Sequence, residues 1–530
     1  MLTRRACLWL ALATLAFAAL KPTAAFAQQR ALFSGDDATA SAERNRAVTS
    51  EPMVVRSRRA TADLSLLAAP GAAGTRGFAA AQPAARSIAL NLFADVDLMA
   101  QLDHVELVQP LGYAWVGGIA GVDGSTVVLA VADGILTGSI TLPSTLYSVR
   151  RVDQSYVIAE IDRRQIPGDE IALPPEEARA AADRTAAASD SGDTFDLLLY
   201  YTAGVKDAAG GVGAINSLIT ASIARVNSAY ISSNISTRVR LLAALETPYV
   251  DSGSTGTDLP ALRNDANVRA ARDQYGADLV SMLVTRDPAA SGRGYVSVSR
   301  GTASADAGYN VVVYYSYIGY IYSLAHELGH NQGCLHEPGN NGGDDESGAY
   351  LYSLGYTDVA NRFYDIMSYG LGCSNCTELN QFSSPINLYQ GHPVGTANQD
   401  NVRTINNTRV TVANYRTAVP DVTLSAPTNL TASSSGSSVT LNWTAPSSGT
   451  PTAYIIEAGS VSGLANLANF STGNTATTFS AGSIGADTYY VRVKATNGSS
   501  TSGASNEATL VVGNVCSAPP APVGFTLGRQ

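Results

Sequence analysis

Ser323-Leu-Ala-His326-Glu327-Leu-Gly-His330-Asn-Gln-Gly333-Cys-Leu-His336 is the stretch on which the reading of this chain turns. Residues four apart share one face of a helix, so His326 and His330 can aim their imidazoles at a common ion. Gly333 allows the helix to end in a left-handed turn without a Cβ penalty, after which the reversed chain brings in His336 as a third ligand. Three protein ligands and one open position are what a catalytic zinc requires. Glu327, next to the first ligand, is left to act as general base: it would take the proton of a water attacking a peptide carbonyl and pass it to the leaving amine. One Zn2+ is the expected cofactor, and no sequence feature asks for Ca2+ beside it. The chain has only five histidines, three of them in this motif, and the isolated His104 and His392 read as ordinary side chains.

Beyond the histidines comes Asp365-Ile-Met367-Ser-Tyr369, with Met367 placed 31 positions after His336. With His-Glu-x-x-His-x-x-Gly-x-x-His matched in full, the sequence resembles the metzincins, which implies that Met367 is an apolar floor under the ligands. It also implies that Tyr369 ligates zinc or stabilises the oxyanion, as in astacin-like and serralysin-like enzymes. His330-Asn-Gln-Gly333, Phe382-Ser-Ser-Pro385 and Val412-Ala-Asn-Tyr-Arg416 look like the reprolysin group, especially its bacterial relatives that include peptidyl-Asp metalloendopeptidases. Glu337 departs from that group, which carries Asp after the third histidine. The resemblance further implies that Gly294-Tyr-Val-Ser-Val-Ser299 is a sheet-edge strand pairing with an extended peptide, so that Gly294, Tyr295 and Val296 bind substrate. A preference for Asp in the substrate would need a basic pocket, for which Arg293, Arg362 and Arg403 are unranked candidates.

The rest of the chain frames this segment. A length of 530 residues suggests about three domains. A net charge of -10 without a Lys/Arg run leaves no basic face for nucleic acid. Arg4 and Arg5, the apolar run from Ala6 to Leu20 and Ala25-Phe26-Ala27 read as a cleaved signal peptide over 1–27, so a secreted product is expected. No later stretch is apolar and long enough to span a membrane. Residues 28–193 read as a propeptide: an Ala/Arg/Ser-rich start to about Arg86 with no assigned structure, a β-rich core over about 87–162, and an exposed connector from Pro174 to Asp193.

Residues 194–416 alternate strand and helix patterns, with helices at Gly211–Ser232 and about Leu259–Tyr275. They form an α/β, metzincin-like catalytic domain. Over 421–512, Val439-Thr-Leu-Asn-Trp443 and Tyr489-Tyr490-Val-Arg-Val-Lys-Ala-Thr-Asn497 resemble an all-β fibronectin type III sandwich, with a polysaccharide or surface ligand as its expected partner. A Pro-rich tail, 513–530, follows.

Without Cys7 the cysteines are Cys334, Cys373, Cys376 and Cys516. A bridge from Cys334 to Cys373 or Cys376 is favoured, with Cys373–Cys376 as the alternative. The propeptide has no cysteine, so latency would need steric cover or a carboxylate such as Asp162 or Asp169. The expected activity is a secreted zinc endopeptidase made as a zymogen and acting on proteins or peptides. The competing reading is a noncatalytic surface-binding adhesin with a structural zinc, which would have no use for Glu327.

Overall fold

The computed structural model describes residues 30–35, 53–67, 85–168, 170–173, 190–314, 323–418, 424–451, 453–465, 467–472, 474–497 and 501–513. The expected signal segment and nearly all of the expected connector and tail lie outside them. In Thr126–Ala132, alternation places Val127, Leu129 and Val131 on one face and Val128 and Ala130 on the other, and both faces are buried. The first set joins Trp115, Ile88 and Leu90 inside a nine-stranded antiparallel sheet. That sheet curls until its ends meet, where the Leu32 amide donates to the Ala89 carbonyl at 2.9 Å.

The second set, with Ala114 and Val116, packs outward into the core of the next domain. There Asn216 donates to Asp133 at 2.8 Å and Ser217 to the Ala130 carbonyl at 3.1 Å. Part of the stretch expected to lack structure is therefore sheet: Val54–Ala62 pairs with Ser155–Ile161. Its arginines disguised the alternation. Arg58 is buried because its guanidinium donates to the carbonyls of Leu92 and Asn91, and Arg56 bridges Asp95 and Glu160.

The sheet of the middle domain has six strands: β1 (Glu170–Ala172), β2 (Thr194–Thr202), β3 (Arg238–Thr247), β4 (Leu279–Val284), β5 (Gly292–Tyr295) and β6 (Tyr309–Val313), in the order β1-β5-β6-β4-β2-β3. Only the β5/β6 pairing is antiparallel. Phe195, Leu197 and Leu199 of β2 face helix α2 (Val212–Ser232), which follows the short helix α1 (Ala203–Ala209). Leu198 and Tyr200 face helices α3 (Thr255–Asn264) and α4 (Ala266–Tyr275) on the other side.

A single helix was expected over about 259–275. It breaks at Asp265, whose carboxylate accepts from the amides of Asn267 and Val268 and so caps a second helix. The zinc-motif segment is helix α5 (Ser323–Asn331), and α6 (Asn401–Val412) closes the domain.

Beyond it, strands of three and four face each other as a sandwich. The sandwich core is a cluster of its own, in which the rings of Trp443 and Tyr454 meet edge to face at 5.0 Å. Ile456→Ala is expected to cost the sandwich about 2–5 kcal/mol. Denaturant unfolding followed by tryptophan fluorescence should show the transition reported by Trp443 moving to lower denaturant while that of Trp115 stays in place. A common shift of both would contradict independent cores.

Candidate active site

Every residue of α5 is buried, so its two histidines face protein rather than water. Gly333 ends the turn with φ +92°, where the amide of Cys334 donates to the Gly329 carbonyl at 3.0 Å. A Cβ at Gly333 would also stand 2.6 Å from that of Ala349. The reversal brings the His336 Nε2 to 3.0 Å from that of His326 and 3.1 Å from that of His330. The His326 and His330 Nε2 atoms are themselves 3.1 Å apart.

Each ring is anchored at its other nitrogen. The Nδ1 atoms lie 2.8, 2.9 and 3.0 Å from the carbonyl oxygens of Ile366, Cys334 and Asn340 respectively. A carbonyl only accepts, so each Nδ1 carries the proton and each Nε2 turns its lone pair inward. Three lone pairs converging on one point repel each other unless a cation lies between them. The donor set is all nitrogen, three-fold and borderline-soft, and it suits zinc with a position left open.

Among the described residues this is the group of His, Cys, Asp or Glu side chains assembled for a metal. Without a cation, burial pushes the His326 imidazole down to about 4 and holds that of His330 well below its usual range.

Glu327 is fully buried and lies against β5, where a Cβ on Gly292 or Gly294 would come within 2.3 or 2.8 Å of its carboxylate oxygens. Only glycines leave room there. Met367 is buried under the helix, and a Cβ on Gly329 would stand 2.6 Å from its sulfur. The Tyr369 hydroxyl lies 2.9 Å from the His336 Nε2, at the open side of the centre.

Two carboxylates hold these pieces in place. Glu337 accepts from the Tyr369 amide at 3.1 Å, and Asp365 accepts from Ser368, Tyr356 and Ser383. Burial pushes the Asp365 carboxyl up to about 7 and raises that of Glu337. Asn331 donates to the carbonyls of Tyr295 and Tyr309, which fastens the end of α5 to β5 and β6. The positioning by Gly292, Asp365 and Glu337 went unread in the sequence, although the Gly-x-Gly at 292–294 was its visible trace.

Gly294 and Tyr295 lie on the edge strand, but the strand ends there. Val296 follows it, and Val298–Ser299 belongs to a separate ribbon with Thr302–Ala303. The edge is already paired: β1 runs parallel to β5, the Ser291 amide donates to Gly168 O and the Val296 amide to Ala172 O, each at 3.0 Å. A cavity of about 870 Å³ lies between the β-rich N-terminal region and the site, lined by Asp162, Ile166 and Gly168 on one side and by His326, Ser291 and Tyr369 on the other.

Asp162 itself accepts from Arg164 and caps a short turn, so it is no latch on the histidines, while Asp169 lies outside the described residues. The favoured disulfide also fails. Cys373 pairs with Cys376, and Cys334 is a free thiol buried in the core, with its sulfur turned toward the Asn401 carbonyl rather than toward that loop. Cys516 is outside the described residues.

Residues 191–383 match the profile of Metallo-peptidase family M12, and 425–511 match the fibronectin type III domain. A peptidyl-Asp metalloendopeptidase of Xanthomonas campestris pv. campestris is 30% identical over 314 residues, which span 56% of this chain and 72% of that protein. The chain belongs to metallopeptidase family M12. A second similar protein, the peptidyl-Asp metalloendopeptidase of Stenotrophomonas maltophilia, is 29% identical over 309 residues, 55% of this chain and 71% of its own. This M12 peptidase is thus a zinc metalloendopeptidase joined to a fibronectin type III sandwich and preceded by a β-rich region.

The depressed imidazole of this M12 peptidase sets a pH dependence. An unfolded histidine titrates near about 6.5, so between about pH 4 and 6.5 the unfolded chain binds a proton that folded His326 refuses. The contribution of His326 to the stability of the chelated protein is therefore lost as pH falls through that window and is level above it. Melting temperatures of chelated wild type and His326→Asn should converge or cross on acidification. A difference constant from about pH 4.5 to 7.5 would contradict this.

Proposed function

We propose that the chain is an exported endopeptidase, made as a zymogen, in which His326, His330 and His336 hold zinc, Glu327 is the general base and the substrate lies along β5 with a preference for Asp. The observation that carries this reading is the convergence of three carbonyl-anchored imidazoles beside a carboxylate buried under a sheet edge. Bound zinc supplies Lewis acidity and lowers the pKa of water from about 15.7 to about 7.

The remaining work falls to the protein. Glu327 takes the proton of the attacking water and returns it to the leaving amine. Its place against Gly292 and Gly294 puts it next to a peptide paired with β5, so base and carbonyl need little rearrangement. Tyr369 offers a hydroxyl toward the developing oxyanion, while the amide that follows Ser368 is steadied by Glu337. Met367 excludes water from beneath the rings.

Latency is supported by the leader's hold on the edge strand and by the Arg163–Glu378 pair across the cavity. Export rests on the signal pattern of residues 1–27, and the Asp preference on the names of the relatives. The sandwich is left for a polysaccharide or surface ligand.

Glu327→Ala should retain zinc and lose about 10²–10⁴-fold in casein hydrolysis. Equal activity in variant and wild type would overturn the role of Glu327. No activity in either after cleavage between residues 174 and 189, with zinc bound, would favour the adhesin. Tyr369→Phe should lower kcat about a hundredfold with little change in KM. Cleavage of the whole chain between residues 174 and 189 should raise its activity, whereas an uncut chain as active as the nicked one would remove the zymogen from the reading.

A further inference from the structure

Successive residues of β5 turn to opposite faces of the sheet. Gly292 and Gly294 lie toward Glu327 and helix α5. Arg293, between them, goes the other way: its Nε donates to the Thr255 hydroxyl at 3.3 Å, and a Cβ on Gly256 would stand 3.7 Å from its Nη2. Tyr295 shares that face, in the cluster that contains Leu259 and Tyr309.

The edge is taken by β1 with Glu170 in register with Arg293, Ile171 with Gly294 and Ala172 with Tyr295. Ile171 packs beside Val296, Leu335 and Leu354, next to the third histidine, and Ala172 packs with the cluster around Tyr295. The leader thus brings to the edge strand an acidic residue at the position of its arginine and an apolar residue beside it.

We infer that Arg293 is the specificity residue of this peptidase, selecting the substrate residue that pairs opposite it for a carboxylate side chain, in the register that Glu170 of the leader now holds. The inference rests on the Asp preference proposed above. A substrate residue paired with Arg293 would carry its side chain to the same face of the sheet, within reach of a guanidinium whose planar fork matches a carboxylate.

Burial drives the Arg293 pKa down, with Glu327 acting against that fall from the opposite face, so an incoming carboxylate adds charge where the environment favours it. The other two candidates stand elsewhere. Arg362 is exposed in a left-handed turn with φ 59°, and Arg403 of α6 lies over the ring of Tyr352 at 4.1 Å.

The test uses the whole chain, nicked between residues 174 and 189, and peptides that differ only by Asp or Asn at each position around one scissile bond. For wild type, kcat/KM should favour Asp at one position. Arg293→Gln should reduce that Asp/Asn ratio at least about tenfold, chiefly through KM. Arg293→Lys should keep part of it, and Arg403→Gln should leave the ratio at the wild-type value. Zinc content and the far-ultraviolet spectrum identify a variant that has not folded, and the Lys variant then supplies the comparison. A wild type that discriminates while both Arg293 variants discriminate equally well overturns the inference alone. A wild type without discrimination at any position overturns the Asp preference and the inference with it.

Discussion

Three imidazole lone pairs are forced toward one point, and the surrounding structure exists to keep them there. Each ring gives its Nδ1 proton to a carbonyl, from Ile366, Cys334 and Asn340, and so loses the freedom to turn its lone pair away. Those carbonyls lie outside the helix, Cys334 and Asn340 in the reversal that follows it and Ile366 in the turn that carries Met367. The helix, the reversal after Gly333 and the turn that contains Met367 must therefore all be in place before the centre has its shape. Asn331, Asp365 and Glu337 tie these segments to the sheet and to each other through backbone amides and carbonyls. Fixed donors of this kind need no rearrangement during a reaction, which is how a buried site obtains its catalytic advantage.

What could be read from the sequence was mostly local. His326 and His330 are one helical turn apart, Gly333 marks the reversal, and His336 follows three residues later, so the cluster of three histidines needed no knowledge of tertiary structure. Helix α2 was legible for the same reason, being a run of apolar residues at helical spacing. The break at Asp265 was missed because the apolar spacing continues across it, and the capping carboxylate outweighed that spacing. Strand Val54–Ala62 was missed because its partner lies about a hundred residues away and its arginines find acceptors only in the folded sheet. The Cys373–Cys376 bridge was left as an alternative, since spacing alone does not tell which thiol the core encloses.

The β-rich N-terminal region is part of the same physics. Its sheet has one apolar interior of its own, around Trp115, and a second apolar face that merges with the core of the catalytic domain along α2. Helix α2 is accordingly buried on two sides, with Ile215, Ile219 and Val226 buried alongside the polar Ser217, Arg225 and Asn227. The polar members meet partners of the N-terminal sheet at Ala130, Thr141 and Glu106. The interface thus combines apolar area with paired polar groups.

The placement of the thiols has a practical reading. Cys334 sits inside the zinc motif as a buried free thiol, while the Cys373–Cys376 bridge closes a short loop at the rim of the cavity. Among the described residues no disulfide therefore ties the segment of the three histidines to the turn that contains Met367, and hydrogen bonds and packing join the two. Reductant and chelator would therefore act at different places: the first would slacken a loop at the entrance, and the second would take from three neighbouring nitrogens the charge that lets them tolerate one another.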